Sequence, residues 1–167
     1  TVHFIYPHGS RISAPDAIGR NLGQRLEEHY RVLYYDLNGT VSIKPNPGDV
    51  LLGHPTPAPW TCFRKSLRRP GWERVLAMSP YSHGDLYQVS FYASFIAECD
   101  LYLEITENNW FSSIDESPYY YWAPKMRHLD LAVDRTDFPT IKTSFNSEGK
   151  RRFVYIGSTI RCKNTDC

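Results

Sequence analysis

Most of the features that would classify this 167-residue chain at sight are missing from it. Charge of one sign is missing first: 19 lysines and arginines stand against 18 acids, a net charge of +1, which gives no reason to expect nucleic acid or a membrane surface as partner. Long hydrophobic runs are missing too. No apolar stretch approaches the roughly 18 residues that cross a bilayer, and no basic and apolar leader opens the chain at Thr1. Cysteine is scarce, and Cys62, Cys99, Cys162 and Cys167 form no C-x-x-C pair. Two of the four fall inside apolar segments, a usage that suits a reducing compartment better than a disulfide framework. A cytoplasmic protein is therefore expected.

The absent motifs exclude chemistry as well. Without G-x-S-x-G the nucleophile elbow of a serine hydrolase has no place to form. The histidines have neither H-x-x-x-H spacing nor carboxylates in ligand register, which argues against metal hydrolysis and leaves no metal expected. The glycine fingerprint G-x-G-x-x-G is missing, so Asp36, at the end of the second apolar run, reads as a turn residue rather than the ribose partner of a dinucleotide. There are no internal repeats and no low-complexity segments.

What is there is a succession of short apolar runs that end in small and polar residues. The stretch 75–85, Val-Leu-Ala-Met-Ser-Pro-Tyr-Ser-His-Gly-Asp, is the centre of the pattern. A run so short, closed by Pro80, reads as a buried parallel strand delivering a loop with His83 at its tip. Val2 to Tyr6 runs in the same way into Pro7-His8-Gly9-Ser10, and Asp49 to Gly53 into His54-Pro55. Further strands are expected at 31–36, 101–106 and 126–133. Between them, Ser13-Ala-Pro-Asp16 starts a helix, with Ser13 as N-cap and Ile18, Leu22 and Leu26 on one face. Gly19 and Gly23 lower its helix propensity and call for close packing in return. Trp60 to Leu67 is a short helix with Trp60, Phe63 and Leu67 inward and Arg64, Lys65, Arg68 and Arg69 on the other side, either a solvated face or a surface for an anionic acceptor or lipid. From Asp85 to Ala97 a helix apolar nearly all round is expected to be buried. Tyr119-Tyr-Tyr-Trp122 reads either as an aromatic platform for sugars or as packing.

This is the grammar of an α/β fold: a Rossmann-like, doubly wound parallel sheet with helices on both faces, which binds ligands outside the carboxyl ends of its strands. In the commonest strand order the first and fourth strands are neighbours, and His8 and His83 then face one cleft. Residues 1–138 form this domain and 139–152, polar and broken by Pro139 and Gly149, a linker. Residues 153–167 begin a fresh apolar strand, which either pairs with the sheet already built or opens a second domain in a chain cut just inside it.

In the order and spacing of four segments the chain resembles the N-terminal half of a GT-B fold retaining glycosyltransferase of the family-4 type. Ser82-His83-Gly84-Asp85 is similar to the loop that carries that family's active-site histidine. Cys99 to Thr106 resembles the segment ending the fifth strand. Leu129 to Phe138 is similar to the signature before the interdomain crossing, with Leu131-Ala132 where Asn-Gly is usual. Phe153 to Gly157 with Lys163 resembles the first strand of the nucleotide-sugar domain, with Ser158 at the usual arginine position and Arg161 as its substitute.

The resemblance implies transfer of a sugar from a nucleotide-diphosphate donor to a carbohydrate, lipid-linked or small-molecule acceptor, with retention of configuration and with neither metal nor cofactor. It places His83 at the reacting sugar and Lys163 with Arg161 at the departing diphosphate, whose charge they would stabilise. His8, Gly9, Ser10, Glu107 and Asn108 fall at the acceptor, and a C-terminal domain is needed to complete the cleft. A noncatalytic carbohydrate- or nucleotide-binding module is the alternative reading.

Overall fold

A computed structural model describes residues 1–9, 14–56, 60–79, 94–104, 118 and 120–129. Its described strands form one six-stranded, wholly parallel sheet: β1 (Val2–Ile5), β2 (Val32–Tyr34), β3 (Val50–Gly53), β4 (Arg74–Ser79), β5 (Leu101–Glu104) and β6 (Met126–His128), in the order β2-β1-β3-β4-β5-β6. β1 and β2 stop short of the apolar runs that signal them, at Ile5 and Tyr34.

Side chains alternate across the sheet and give it two cores. On one face Val2, Phe4, Tyr6, Leu52 and Met78 meet Ile18, Leu22 and Leu26 of α1 (Ala14–Glu27), the apolar stripe the sequence predicts. On the other, Ile5, Leu51, Val75, Ala77, Tyr102 and Met126 pack under Phe63 and Leu67 of α2 (Cys62–Leu67), under Phe95 and Ile96 of the 94–98 helix, and under Trp122 of a 3₁₀ turn over Tyr120–Lys125. Helices thus cover both faces, and this is the expected α/β architecture. Cys62 and Cys99 are free thiols inside the second core.

The strand order corrects one expectation. β1 and β4 are not neighbours, since β3 lies between them and separates their ends by two strand spacings, about 10 Å. Backbone bonds from Val50 to the Thr1 carbonyl and from His54 to the Ile5 carbonyl tie β3 to β1 at both ends. No helix links β2 to β3 in the described residues. Ile43 instead tucks into the α2 side of the core, its amide donating to Ser66 Oγ at 2.9 Å.

Smaller corrections concern exposure. Trp60, expected inward, precedes the first turn of α2 and is 60% exposed, while Phe63 fills the space left by the absent side chain of Gly53. Ala97 is exposed, so the end of its helix is not apolar all round. The basic run of α2 is neither a purely solvated face nor a free anionic surface. Arg64 lies 3.9 Å over the Phe95 ring and donates to Ser94 Oγ, Arg68 forks onto Glu98 at 2.7 and 2.5 Å, Arg69 donates to Ser42 and Lys65 to the Thr40 carbonyl. Each basic group fastens α2 to a neighbour.

Contacts divide the chain into Thr1–Leu131 and Ala132–Cys167. The second unit, with the expected linker and last strand, lies outside the described residues, as does the earlier part of the 85–97 helix. Among the described residues no helix is long and apolar enough to cross a membrane.

Candidate functional site

Parallel pairing sets the carboxyl ends of all six strands along one edge, and the loop after β1 occupies it. Gly19 is what lets that loop sit down on α1: a Cβ there would overlap the Pro7 carbonyl oxygen and the Tyr6 ring. Gly23 similarly makes room for the Tyr34 hydroxyl. These two contacts are the close packing for which the helix gives up propensity.

Between the ends of β1 and β2 lies a cleft of about 580 Å³, lined by Tyr6, Pro7, His8 and Gly9, by Pro15 and Asp16 of α1, and by the turn from Tyr34 to Asn38. The volume suits a small molecule. His8 Nδ1 is 2.7 Å from the Tyr6 carbonyl oxygen. A carbonyl can only accept, so Nδ1 carries the proton, and Nε2 of the neutral ring remains an acceptor. The Tyr34 ring stands 5.1 Å from that of His8 and is 37% exposed. Burial, and then the bond to Glu27, raise the Tyr34 hydroxyl above its usual range, so it stays protonated. Nothing among the described residues fills the space a Cβ on Gly9 would take, which leaves the backbone there open to a ligand.

Asp36 is the turn residue the sequence suggests. Its Oδ1 accepts from the Asn38 amide at 2.9 Å and its carbonyl from the Gly39 amide at 3.0 Å. The same turn nevertheless brings Asp36 to the cleft. Rings for stacking, with a carboxylate, an amide side chain and an imidazole nitrogen as acceptors and donors, are a set that holds a hydroxylated molecule.

His54 follows β3 directly and sets its ring 5.1 Å from Tyr6, nearly perpendicular to it, so His8 and His54 lie on either side of Tyr6 at the same edge. Of the site residues named from the sequence, the structure brings His8 and Gly9 to the cleft. Ser10, His83, Glu107, Asn108, Arg161 and Lys163 lie outside the described residues. The sequence reading missed Tyr34 and Asn38, whose signal was their place at the carboxyl end of β2. The aromatic run divides: Tyr120 and Tyr121 are 63% and 60% exposed with rings nearly perpendicular, and Trp122 is core.

Two buried carboxyl groups elsewhere in the sheet have contrasting surroundings. At the amino edge, Asp49 Oδ2 accepts from the Asn46 amide at 2.8 Å and from His3 Nε2 at 3.1 Å, and the Tyr35 hydroxyl bonds His3 Nδ1 at 2.8 Å. Burial pushes the Asp49 carboxyl up, but the Asn46 amide and His3 outweigh it and hold it well below the usual carboxylate range. At the carboxyl edge, Glu104 ends β5 with 0% exposure and, among the described residues, no hydrogen-bond partner on either oxygen. Desolvation alone pushes its carboxyl up to about 9, so it is neutral at pH 7. Among the described residues no three His, Cys, Asp or Glu side chains gather to hold a metal.

Comparison with known proteins finds nothing similar: no family model matches the chain, nor does any curated protein or solved structure.

Proposed function

We propose that the chain is the acceptor-side domain of a nucleotide-sugar-dependent, retaining glycosyltransferase, and that the cleft between β1 and β2 holds the acceptor. The observation that carries this reading is the lining of that cleft. Tyr34 and His8 offer ring faces to the C–H side of a sugar, while Asp36, Asn38 and His8 Nε2 offer acceptors and donors to its hydroxyls. His83, on the loop after β4, acts at the reacting sugar. As the acceptor oxygen bonds the anomeric carbon, the bond to the diphosphate breaks, the acceptor's hydroxyl proton passes to the departing diphosphate oxygen, and Lys163 and Arg161 stabilise the charge on the departing group.

A second reading, the noncatalytic carbohydrate-binding module, draws on the strand order, which sets β1 and its cleft apart from β4 by a whole strand. One experiment separates the two. The full-length protein is offered a panel of nucleotide sugars with alkyl glycosides as acceptors, alongside its His8→Ala and His83→Ala variants. Transfer that raises its KM in His8→Ala and disappears in His83→Ala supports the transferase. Binding of glycosides without transfer, weakened by His8→Ala and indifferent to His83→Ala, supports the module. Failure to bind any glycoside overturns both.

A further inference from the structure

We infer that Trp60 forms a second sugar subsite beside the cleft between β1 and β2, so that the acceptor is a glycoside of two or more sugars and not of one. The inference rests on the acceptor reading of that cleft. What carries it is the way Trp60 is fastened to the cleft wall. The turn that brings Asp36, Leu37 and Asn38 to the cleft is closed by the Gly39 amide on the Asp36 carbonyl, at 3.0 Å. The Gly39 carbonyl accepts in turn from the Cys62 amide at 2.6 Å, which ties this turn to the start of α2. Trp60 stands two residues before Cys62, a reach of about 7 Å at most. Thr56 and Thr61, on either side of Trp60 in the chain, are both buried, and their hydroxyls are joined at 3.1 Å. Next to this anchored Thr61, Trp60 is 60% exposed.

Packing does not account for this side chain. Phe63 and Leu67 already fill the core under α2, and an indole left in water forgoes the burial energy that a large aromatic ring can give. A ring held on an anchored stem beside a polar cleft is a stacking surface, and a pyranose has the matching form, with C–H groups on its face and hydroxyls around its edge. The surface that joins the two places selects the occupant. It consists of the exposed Asn38 and the Gly39 backbone. An alkyl chain laid over these groups would strip their water and pair nothing in return, which costs free energy. A second sugar brings hydroxyls to the same groups while its ring reaches Trp60.

The test is calorimetric titration of the full-length protein with methyl glucoside, octyl glucoside, methyl maltoside, methyl cellobioside and methyl isomaltoside, repeated on Trp60→Ala, Trp60→Phe and His8→Ala. The expected result is a disaccharide that binds at least about tenfold more tightly than methyl glucoside. Trp60→Ala should bring that ratio back to about one, Trp60→Phe should keep part of it, and His8→Ala should weaken mono- and disaccharides alike. Trp60→Ala should melt as the wild type does, since the side chain it removes is mostly in water. A disaccharide gain that survives Trp60→Ala overturns the proposal, and so does binding of methyl glucoside with no gain from any disaccharide. A Trp60-dependent gain shown by octyl glucoside alone also overturns it and assigns the ring to an alkyl aglycone. Failure of every glycoside to bind overturns the acceptor reading itself and this subsite with it.

Discussion

Asp49 and Glu104 are both buried carboxyl groups on one parallel sheet, and they end in opposite states. Asp49 stands at the amino edge, where the Asn46 amide and the His3 ring reach it, and it is held ionised. Glu104 stands at the carboxyl edge with no partner on either oxygen among the described residues, and it is held neutral. Both are removed from water, so burial alone does not decide the outcome; the supply of donors does. The difference also separates two kinds of edge. The amino edge has satisfied its polar groups and works for stability, while the carboxyl edge carries histidines, a cleft and an unanswered carboxyl, as open α/β sheets do where they bind ligands.

The comparison is broken most severely by removing the satisfied partner. Asp49→Ala leaves His3 Nε2 and the Asn46 amide without their acceptor, and should cost about 3 kcal/mol in urea denaturation at pH 7. The wild-type contribution of Asp49 is present above the ordinary carboxylate range and is lost on acidification below it, because only the unfolded chain then takes up the proton. A variant as stable as wild type would show that the donors around Asp49 contribute little.

Glu104 has the opposite sign. The unfolded chain loses this proton from about pH 4.5 upward while the folded chain keeps it to about 9, so stability falls as pH rises between those values. Glu104→Gln should therefore gain about 2 kcal/mol at pH 6 and nothing below pH 4, and its stability should vary less across that window. Equal pH dependence in the two proteins would mean that Glu104 is ionised and paired. The smallest effect sharpens the Asp49 side: Tyr35→Phe removes one hydroxyl from His3 Nδ1 and should cost about 1 kcal/mol, by the same urea measurement.

Much of this architecture was legible in the residues. The apolar stripe of α1, the turn at Asp36 and the close packing at Gly19 and Gly23 follow from short-range chemistry, and each is where the sequence places it. The strand order was not legible. It depends on which edge of β1 receives β3, and the irregular 37–48 segment carries no periodicity to announce that choice. Trp60 misled for a related reason, since its spacing fits the inner face of a helix that in fact begins two residues later, at Cys62. Of the site, His8 and Gly9 were visible because they punctuate an apolar run. Glu104 went unnoticed in Leu-Tyr-Leu-Glu, although an acid on the buried register of a strand is itself a signal.

The account rests most heavily on the carboxyl edge beside His8 as the place where a sugar binds. Its most direct test is a map of backbone amide shifts as methyl glucoside is titrated into the protein. Changes centred on His8, Gly9, Tyr34 and Asp36 are the predicted result, and they should weaken in His8→Ala. Changes confined to the exposed Tyr120 and Tyr121, or no saturable change at all, would contradict it.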